Sequence, residues 1–248
     1  MTILIRGSTY IWPKSRESGI IGQGPSFAVS AAELNCCSSL PSMSETKLRV
    51  AAVVFPEFEL LDLFGPLELL GLLHERVSLS IVAESTGVVA SRQGPKTVVD
   101  VAMSEIASLD ILLVPGGMGT RREVTNEAML ELLRSLAVKA RFVASVCTGS
   151  ALLARAGILD GKRATSNKLA FEWVTSQGPK VTWVREARWV EDEKYFTASG
   201  VSAGMDMTLG LIQRIFDRPT ALEIAQRAEY IWSEDSTVDP FATPKFQG

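Results

Sequence analysis

The chain has 248 residues, with 25 basic and 28 acidic side chains and a single histidine. At about 150 residues per domain, that length suits one domain with terminal extensions, and 46% hydrophobic with 21% charged residues is the balance of a folded protein. A net charge of −3 argues against holding a phosphate backbone by bulk charge, so no nucleic-acid partner is expected. His74 is the one imidazole that a zinc site, a Ser-His-Asp triad or a Cys-His dyad could use.

The cysteines are Cys36, Cys37 and Cys147. An odd number with two adjacent is not a disulfide framework; it suits a reducing compartment, and a cytoplasmic location is expected. Three thiols without a well-placed imidazole make a structural zinc site unexpected, so no metal is predicted. The most apolar region, Leu60 to Leu73, is interrupted by Asp62, Gly65, Pro66 and Glu68. It falls short of the 18 or so uninterrupted apolar residues of a membrane span, and no membrane association is expected.

Residues 1–46 hold nine Ser, four Gly and three Pro without a sustained period. They read as a flexible leader: a targeting segment, a regulatory tail or a misplaced start. A first buried strand is expected over Arg49 to Phe55. Gly65-Pro66 reads as the opening of a helix, with Pro in its first turn and Leu67, Leu70 and Leu73 on one face. Val77 to Ala83 reads as a second strand. Val88–Ala90 and Thr97–Val101 flank Gln93-Gly94 as a hairpin. Ile111 to Val114 is a buried strand ending in Pro115-Gly116-Gly117. Asn126 is placed to cap a helix with Met129, Leu130, Leu133, Leu136 and Ala137 on its apolar face.

Arg141 to Val146 is the next buried strand and runs into Cys147-Thr148-Gly149-Ser150. The helix that follows ends at Gly157, a C′ glycine. A helix near 168–177, strands near 180–185, 187–191 and 195–199, and helices from Ser202 and Pro219 complete a domain over residues 47–232. The tail, 233–248, is expected to be extended. Short apolar strands alternating with amphipathic helices make an α/β domain with a mostly parallel sheet. Gly116-Gly117-Met118-Gly119 lacks the spacing of a dinucleotide fingerprint.

Three elements carry candidate chemistry. Cys147 sits where a buried strand turns into a helix, the position from which a nucleophile elbow presents its side chain. A helix N-terminus there lowers a thiol pKa; the plain alternative is a buried structural cysteine. Gly116-Gly117 follows the neighbouring strand. The N–H of Gly117, with that of Thr148, would make an anion hole, or the pair is an ordinary turn. Asp62 lies in Leu60-Leu61-Asp62-Leu63, where desolvation favours a protonated carboxyl, or it caps the helix. His74 reads as a cation at a helix end.

Together these motifs resemble the ThiJ/PfpI branch of the class I glutamine-amidotransferase-like superfamily, over Leu48 to about Trp232. The carriers are Phe55-Pro56-Glu57, Leu61-Asp62-Leu63-Phe64-Gly65-Pro66, Val114-Pro115-Gly116-Gly117, Ser145-Val146-Cys147-Thr148-Gly149-Ser150, Gly161-Lys162-Arg163-Ala164-Thr165 and Ser199-Gly200-Val201-Ser202-Ala203-Gly204-Met205-Asp206. Within that branch the chain is most similar to the isonitrile hydratases.

The resemblance implies a flavodoxin-like three-layer α/β/α sandwich, a homodimer, no cofactor and a small-molecule isonitrile as substrate. Cys147 would be the nucleophile and Asp62 the acid, with Gly117 and Thr148 as backbone donors. Gly116, Asn167 and Ser202 would line the pocket. Relatives often carry His after Ala-Thr-Thr; here the stretch is Ala164-Thr165-Ser166-Asn167-Lys168. Asn167 cannot shuttle a proton as imidazole does, which weighs against Cys-His amidase or protease chemistry and leaves the substrate open. Glyoxalase or deglycase chemistry on small carbonyls, and a non-catalytic cysteine sensor, stand as alternatives. Only sixteen residues follow the domain, too few for a DNA-binding domain.

Overall fold

The structure is a computed structural model and describes residues 46–243. The leader expected over 1–46 therefore lies outside the described residues save its last. The elements in chain order are β1 (Leu48–Val53), α1 (Leu60–Gly71), β2 (Val77–Ala83), β3 (Gly87–Ala90), β4 (Lys96–Val99), β5 (Val101–Ala102), β6 (Ile111–Val114), α2 (Thr120–Glu123), α3 (Glu127–Lys139), β7 (Phe142–Val146) and α4 (Gly149–Arg155). They continue as β8 (Arg163–Ala164), α5 (Phe171–Gln177), β9 (Thr182–Trp183), β10 (Trp189–Asp192), β11 (Tyr195–Ala198), α6 (Ala203–Ile215) and α7 (Arg218–Arg227).

Seven strands form one sheet in the order β10-β11-β7-β6-β1-β2-β5. All its neighbours run parallel except β10, which is antiparallel to β11. Val50–Val53, the whole of β6 and Val143–Val146 are buried. Strands covered by helices on both faces read as continuous apolar runs, which is why these segments were recognisable as strands. Helix α1 packs on α6 and α6 on α7, while α4 packs on α2, α3 and α5, giving the flavodoxin-like sandwich.

From β1 the chain builds one side of the sheet through β2 and β5, then returns to the other side of β1 with β6 and continues to β7 and β11. The order reverses between β1 and β6. At such a point the loops leaving the two strands diverge and open a crevice at their carboxyl ends.

Several elements differ from the sequence expectation. Helix α1 starts at Leu60, and Pro66 lies inside it. Proline removes one intrahelical N–H, here the one that would reach the Asp62 carbonyl. Burial of Leu63, Leu67 and Leu70, spaced along one face, outweighs that loss. The second arm of the hairpin splits at Asp100. Its carboxylate takes the N–H of Ile81 at 2.7 Å, and the chain leaves β4 to pair with β2 in the main sheet as β5. Helix α2 and strand β8, of four and two residues, are too short to leave a period.

Asn126 caps α3 as expected, accepting from the Met129 N–H at 3.3 Å, and Gly157 follows the cap of α4 with φ +75°. Beyond Trp232 the chain is mostly irregular, but it is packed: the Arg188 N–H donates to the Ser236 carbonyl at 2.8 Å and the Asp239 N–H to the Glu186 carbonyl at 2.7 Å. The cap can be tested alone. Asn126→Ala is expected to lower stability by about 1–2 kcal/mol in a denaturant melt, because it also removes the hydrogen bond to Glu123 Oε2 at 2.9 Å and leaves that carboxylate to Arg122 alone.

Candidate active site

Cys147 lies between β7 and α4 with φ +56°, in the left-handed region. That conformation costs a non-glycine residue about 1–3 kcal/mol and persists only where the surroundings enforce it. Here they do. The Cys147 N–H donates to Ala198 and Ser199 carbonyls at 3.2 and 2.8 Å. Its own carbonyl accepts from Ser150 Oγ at 3.0 Å and Ser166 Oγ at 2.8 Å. The side chain is buried at the carboxyl end of β7.

Asp62 reaches the same point from the first turn of α1 and is fully buried. Oδ2 accepts the Gly116 N–H at 3.0 Å. Oδ1 has no hydrogen-bond partner among the described residues, and the Cys147 thiol lies near enough for the two groups to shift each other's pKa. Burial dominates the charge balance and raises the Asp62 pKa to about 8. The Gly116 N–H and the thiol pull it down, and the Glu59 charge pushes it up. Burial likewise pushes the Cys147 thiol well above its ordinary value, and Asp62 adds to the rise; the Thr148 N–H and hydroxyl oppose it. Burial and the adjacent acid raise the thiol, as expected for a carboxyl set beside it, and the direction is not that of a helix N-terminus acting alone.

The backbone donors also differ from expectation. The Gly117 N–H is not open to the thiol: it donates to Thr148 Oγ1 at 3.0 Å, and Thr120 Oγ1 lies 3.1 Å from the same oxygen. The donors at the centre are the Thr148 N–H, toward sulfur, and the Gly116 N–H, toward Asp62. A Cβ at residue 116 would stand 2.5 Å from the Thr148 N and 2.9 Å from Asp62 Oδ2, so only glycine fits between acid and nucleophile.

Two cavities are lined by neighbours of these residues, though neither lining includes Cys147 or Asp62. One of about 470 Å³ is lined by Glu59, Leu61, Phe64 and Val201. The other, of about 220 Å³, is lined by Asn167, Ser199, Val201, Ser202 and Phe241, so the expected pocket residues Asn167 and Ser202 do share a wall. His74 lies apart, its side chain 69% exposed beside Glu75 at 3.1 Å. No group of His, Cys, Asp or Glu among the described residues could hold a metal ion.

Sequence reading missed two contributors. Glu59 sits at the rim, takes a hydrogen bond from Gln93 Nε2 and raises the pKa of both central groups; its separation of three residues from Asp62 was the available signal. The other is a buried ionic network. Arg188 binds Asp206 Oδ2 at 2.6 Å through both Nε and Nη2, and lies 3.6 Å from Asp239. Lys168 lies 3.6 Å from the same Asp239 and has its pKa lowered to about 8, chiefly by burial. Charged residues inside the apolar stretches Ala187–Val190 and Met205–Met207 were its trace in the sequence.

The raised carboxyl has a consequence for stability. Between the ordinary carboxylate range and about 8, the folded chain binds a proton at Asp62 that the unfolded chain has released. Stability therefore falls as pH rises through that window. Asp62→Asn is expected to flatten the decline in melting temperature between pH 5 and 8; an unchanged slope in the variant would show that Asp62 is not held protonated.

Residues 48–214 match the DJ-1/PfpI family. The isonitrile hydratase of Pseudomonas putida is 34% identical over 183 residues, 74% of this chain and 78% of that protein. The HTH-type transcriptional regulator GbdR of Pseudomonas aeruginosa is 28% identical over 77% of this chain but only 53% of its own length. The deglycase PYRAB04690 of Pyrococcus abyssi is 31% identical over 48% of this chain and 72% of its own. Among solved structures, a ThiJ/PfpI family protein from Pseudomonas syringae superposes with a TM-score of 0.70 at 28% identity, covering 79% of this chain and 83% of that one. No helix among the described residues is long and apolar enough to cross a membrane.

Proposed function

The chain belongs to the DJ-1/PfpI family, and on that premise we propose that it is a cofactor-independent lyase that hydrates an isonitrile to an N-substituted formamide. The observation that supports this reading is a buried thiol beside a buried carboxyl, with one carboxyl oxygen lacking a hydrogen-bond partner among the described residues.

Two groups that each raise the other's pKa titrate as a pair. In its one-proton state the pair is chiefly an Asp62 carboxylate beside a Cys147 thiol, and passage of the thiol proton to Asp62 supplies a thiolate and a carboxylic acid together. The Cys147 thiolate forms a bond to the terminal carbon of R–N≡C, and that carbon takes the proton from Asp62. The product is a thioimidate, S–CH=N–R, beside an Asp62 carboxylate. That carboxylate then takes a proton from water as the hydroxide oxygen bonds to the thioimidate carbon, and the proton passes to nitrogen. Collapse of the tetrahedral adduct breaks the C–S bond and releases R–NH–CHO. The hydroxyl proton returns to the pair. The Thr148 N–H, directed at sulfur, stabilises the thiolate as it attacks and as it leaves.

The family resemblance also implies a homodimer. Leu61 and Phe64, exposed on α1 next to the rim residue Glu59, are the apolar surface that a second copy would cover. The match to a deglycase supports a second reading, in which the same thiolate adds to a small reactive carbonyl.

An aryl isonitrile and methylglyoxal, offered to wild type and variants, separate these readings. Cys147→Ala is expected to abolish isonitrile hydration, and Asp62→Asn to lower kcat by about 10²–10⁴-fold, the usual range for a lost general acid. Full hydration by Cys147→Ala would sink the scheme, and turnover of methylglyoxal alone would favour the carbonyl reading. The pH profile is a separate check. The doubly protonated pair has no thiolate, so kcat/KM should rise as pH passes through about 8, where the first proton leaves, and fall only at higher pH with the second. A flat profile from pH 6 to 9 is incompatible with a proton-sharing pair.

A further inference from the structure

We propose that the segment Ser233–Thr243 is a built wall of the substrate pocket, with Phe241 selecting a ring-sized substituent and Asp239 as the positioning residue that holds it in place. The hydratase reading supplies only the substrate's reactive group; the substituent pocket stands on its own geometry.

The cavity of about 220 Å³ is closed on one side by Phe241, and elsewhere by Asn167, Leu169, Ser199, Val201 and Ser202. One of its walls is bonded to the backbone of Cys147, and a second is joined to it through a chain neighbour. The Ser199 carbonyl accepts the Cys147 N–H, and Ser166, next to Asn167, donates to the Cys147 carbonyl. The cavity is thus tied to the elbow through both walls. A cavity of about 150 Å³ holds benzene, so this one takes an aromatic ring with a short link. One polar group is free to orient such a guest. Asn167 Oδ1 is engaged by the Leu169 and Ala170 N–H groups, both at 3.0 Å, whereas Nδ2 has no hydrogen-bond partner among the described residues and borders Gly200. The geometry therefore suits a ring-bearing substituent with an acceptor near its link.

The wall is anchored by more than a surface tail needs. Asp239 is buried between Lys168 and Arg188, and its Oδ1 accepts the Phe241 N–H at 3.1 Å, which fixes the turn that carries the ring. Arg188 is in turn held by Asp206, whose Oδ1 accepts from Tyr230 Oη at 3.0 Å and from the Ser233 N–H at 2.9 Å. Buried ion pairs add little net stability, because dehydration offsets their attraction; what they supply here is a fixed position. Lys168 adjoins Asn167 in sequence, so one network sets both the aromatic wall and the polar donor of the cavity.

The test uses the full chain and does not depend on the reaction catalysed. Cys147 is alkylated with iodoacetamide or with N-benzyliodoacetamide, and labelling is read at the Cys147 peptide by mass spectrometry. The ratio of benzyl to unsubstituted rates is expected to fall about tenfold in Phe241→Ala, the scale of a lost apolar pocket contact, and to be largely kept in Phe241→Tyr. Asp239→Asn should lower the same ratio, with no further fall in the double variant. Phe241 is 49% exposed, so Phe241→Ala decides the matter whether or not Asp239→Asn folds. An equal ratio in wild type and Phe241→Ala overturns the proposal. A reduced ratio in a protein whose wild type hydrates no isonitrile sustains the pocket and removes only the hydratase reading.

Discussion

Asp62 has been taken out of water and given one backbone N–H in return, from Gly116. A carboxylate needs two or three such donors to stay charged when buried. With one, it keeps its proton to about pH 8, and the second oxygen is left to the thiol and whatever substrate arrives. Much of the surrounding structure follows from that arrangement. Helix α1 must begin early enough to bring Asp62 into its first turn, despite the proline four residues on. Gly116 must lack a side chain for acid and nucleophile to meet. Cys147 must be held in a left-handed conformation for its sulfur to face the crevice, which four hydrogen bonds to its backbone enforce.

The sheet topology makes the meeting possible. Asp62 follows β1 and Gly116 follows β6, the two strands between which the chain order reverses, and Cys147 follows β7 beside them. A crevice at that point needs no special sequence, since it is a property of the winding. What the sequence adds is the closure of its far side. There the loops after β8 and β11 are bonded to the Cys147 backbone, and the C-terminal segment is clamped over them by Arg188, Asp206, Lys168 and Asp239. Charges in such a place give register more than stability.

Much of this was legible in the chain. The strands β6 and β7 read as unbroken apolar runs because both faces are covered, and a cysteine at the end of one, followed by Thr-Gly-Ser, marks an elbow. Desolvation of Asp62 was visible from its leucine neighbours. Other features depended on distances that local pattern does not carry. The proline at 66 marked a helix start by the usual rule, but the burial that carries α1 past it comes from tertiary packing. Which of two adjacent glycine N–H groups faces the reaction centre turns on the orientation of single peptides, and the Thr148 hydroxyl captured one of them. The rise of the thiol's pKa follows once the resemblance sets Asp62 beside it, but its largest cause, burial of the elbow, comes from tertiary packing. Arg188 stands out as a charge in an apolar stretch, but its pairing with Asp239 appears only when the tail folds back.

Asn167 follows Ser166, which is bonded to the Cys147 carbonyl. Its carbonyl oxygen caps the entry to α5 and its nitrogen borders the smaller cavity. An amide keeps its donors at any pH and can neither take nor give up a proton. In the proposed hydration the proton transfers therefore fall to Asp62 and Cys147. Amide hydrolysis asks for a base to activate the nucleophile and then an acid for the leaving amine, work that usually falls to an imidazole beside the cysteine. Isonitrile hydration asks for less, because the carbon attacked by sulfur is the atom that accepts the proton, and no group departs until water has added. The proposed pair of Cys147 and Asp62, without an imidazole, would meet that lighter demand.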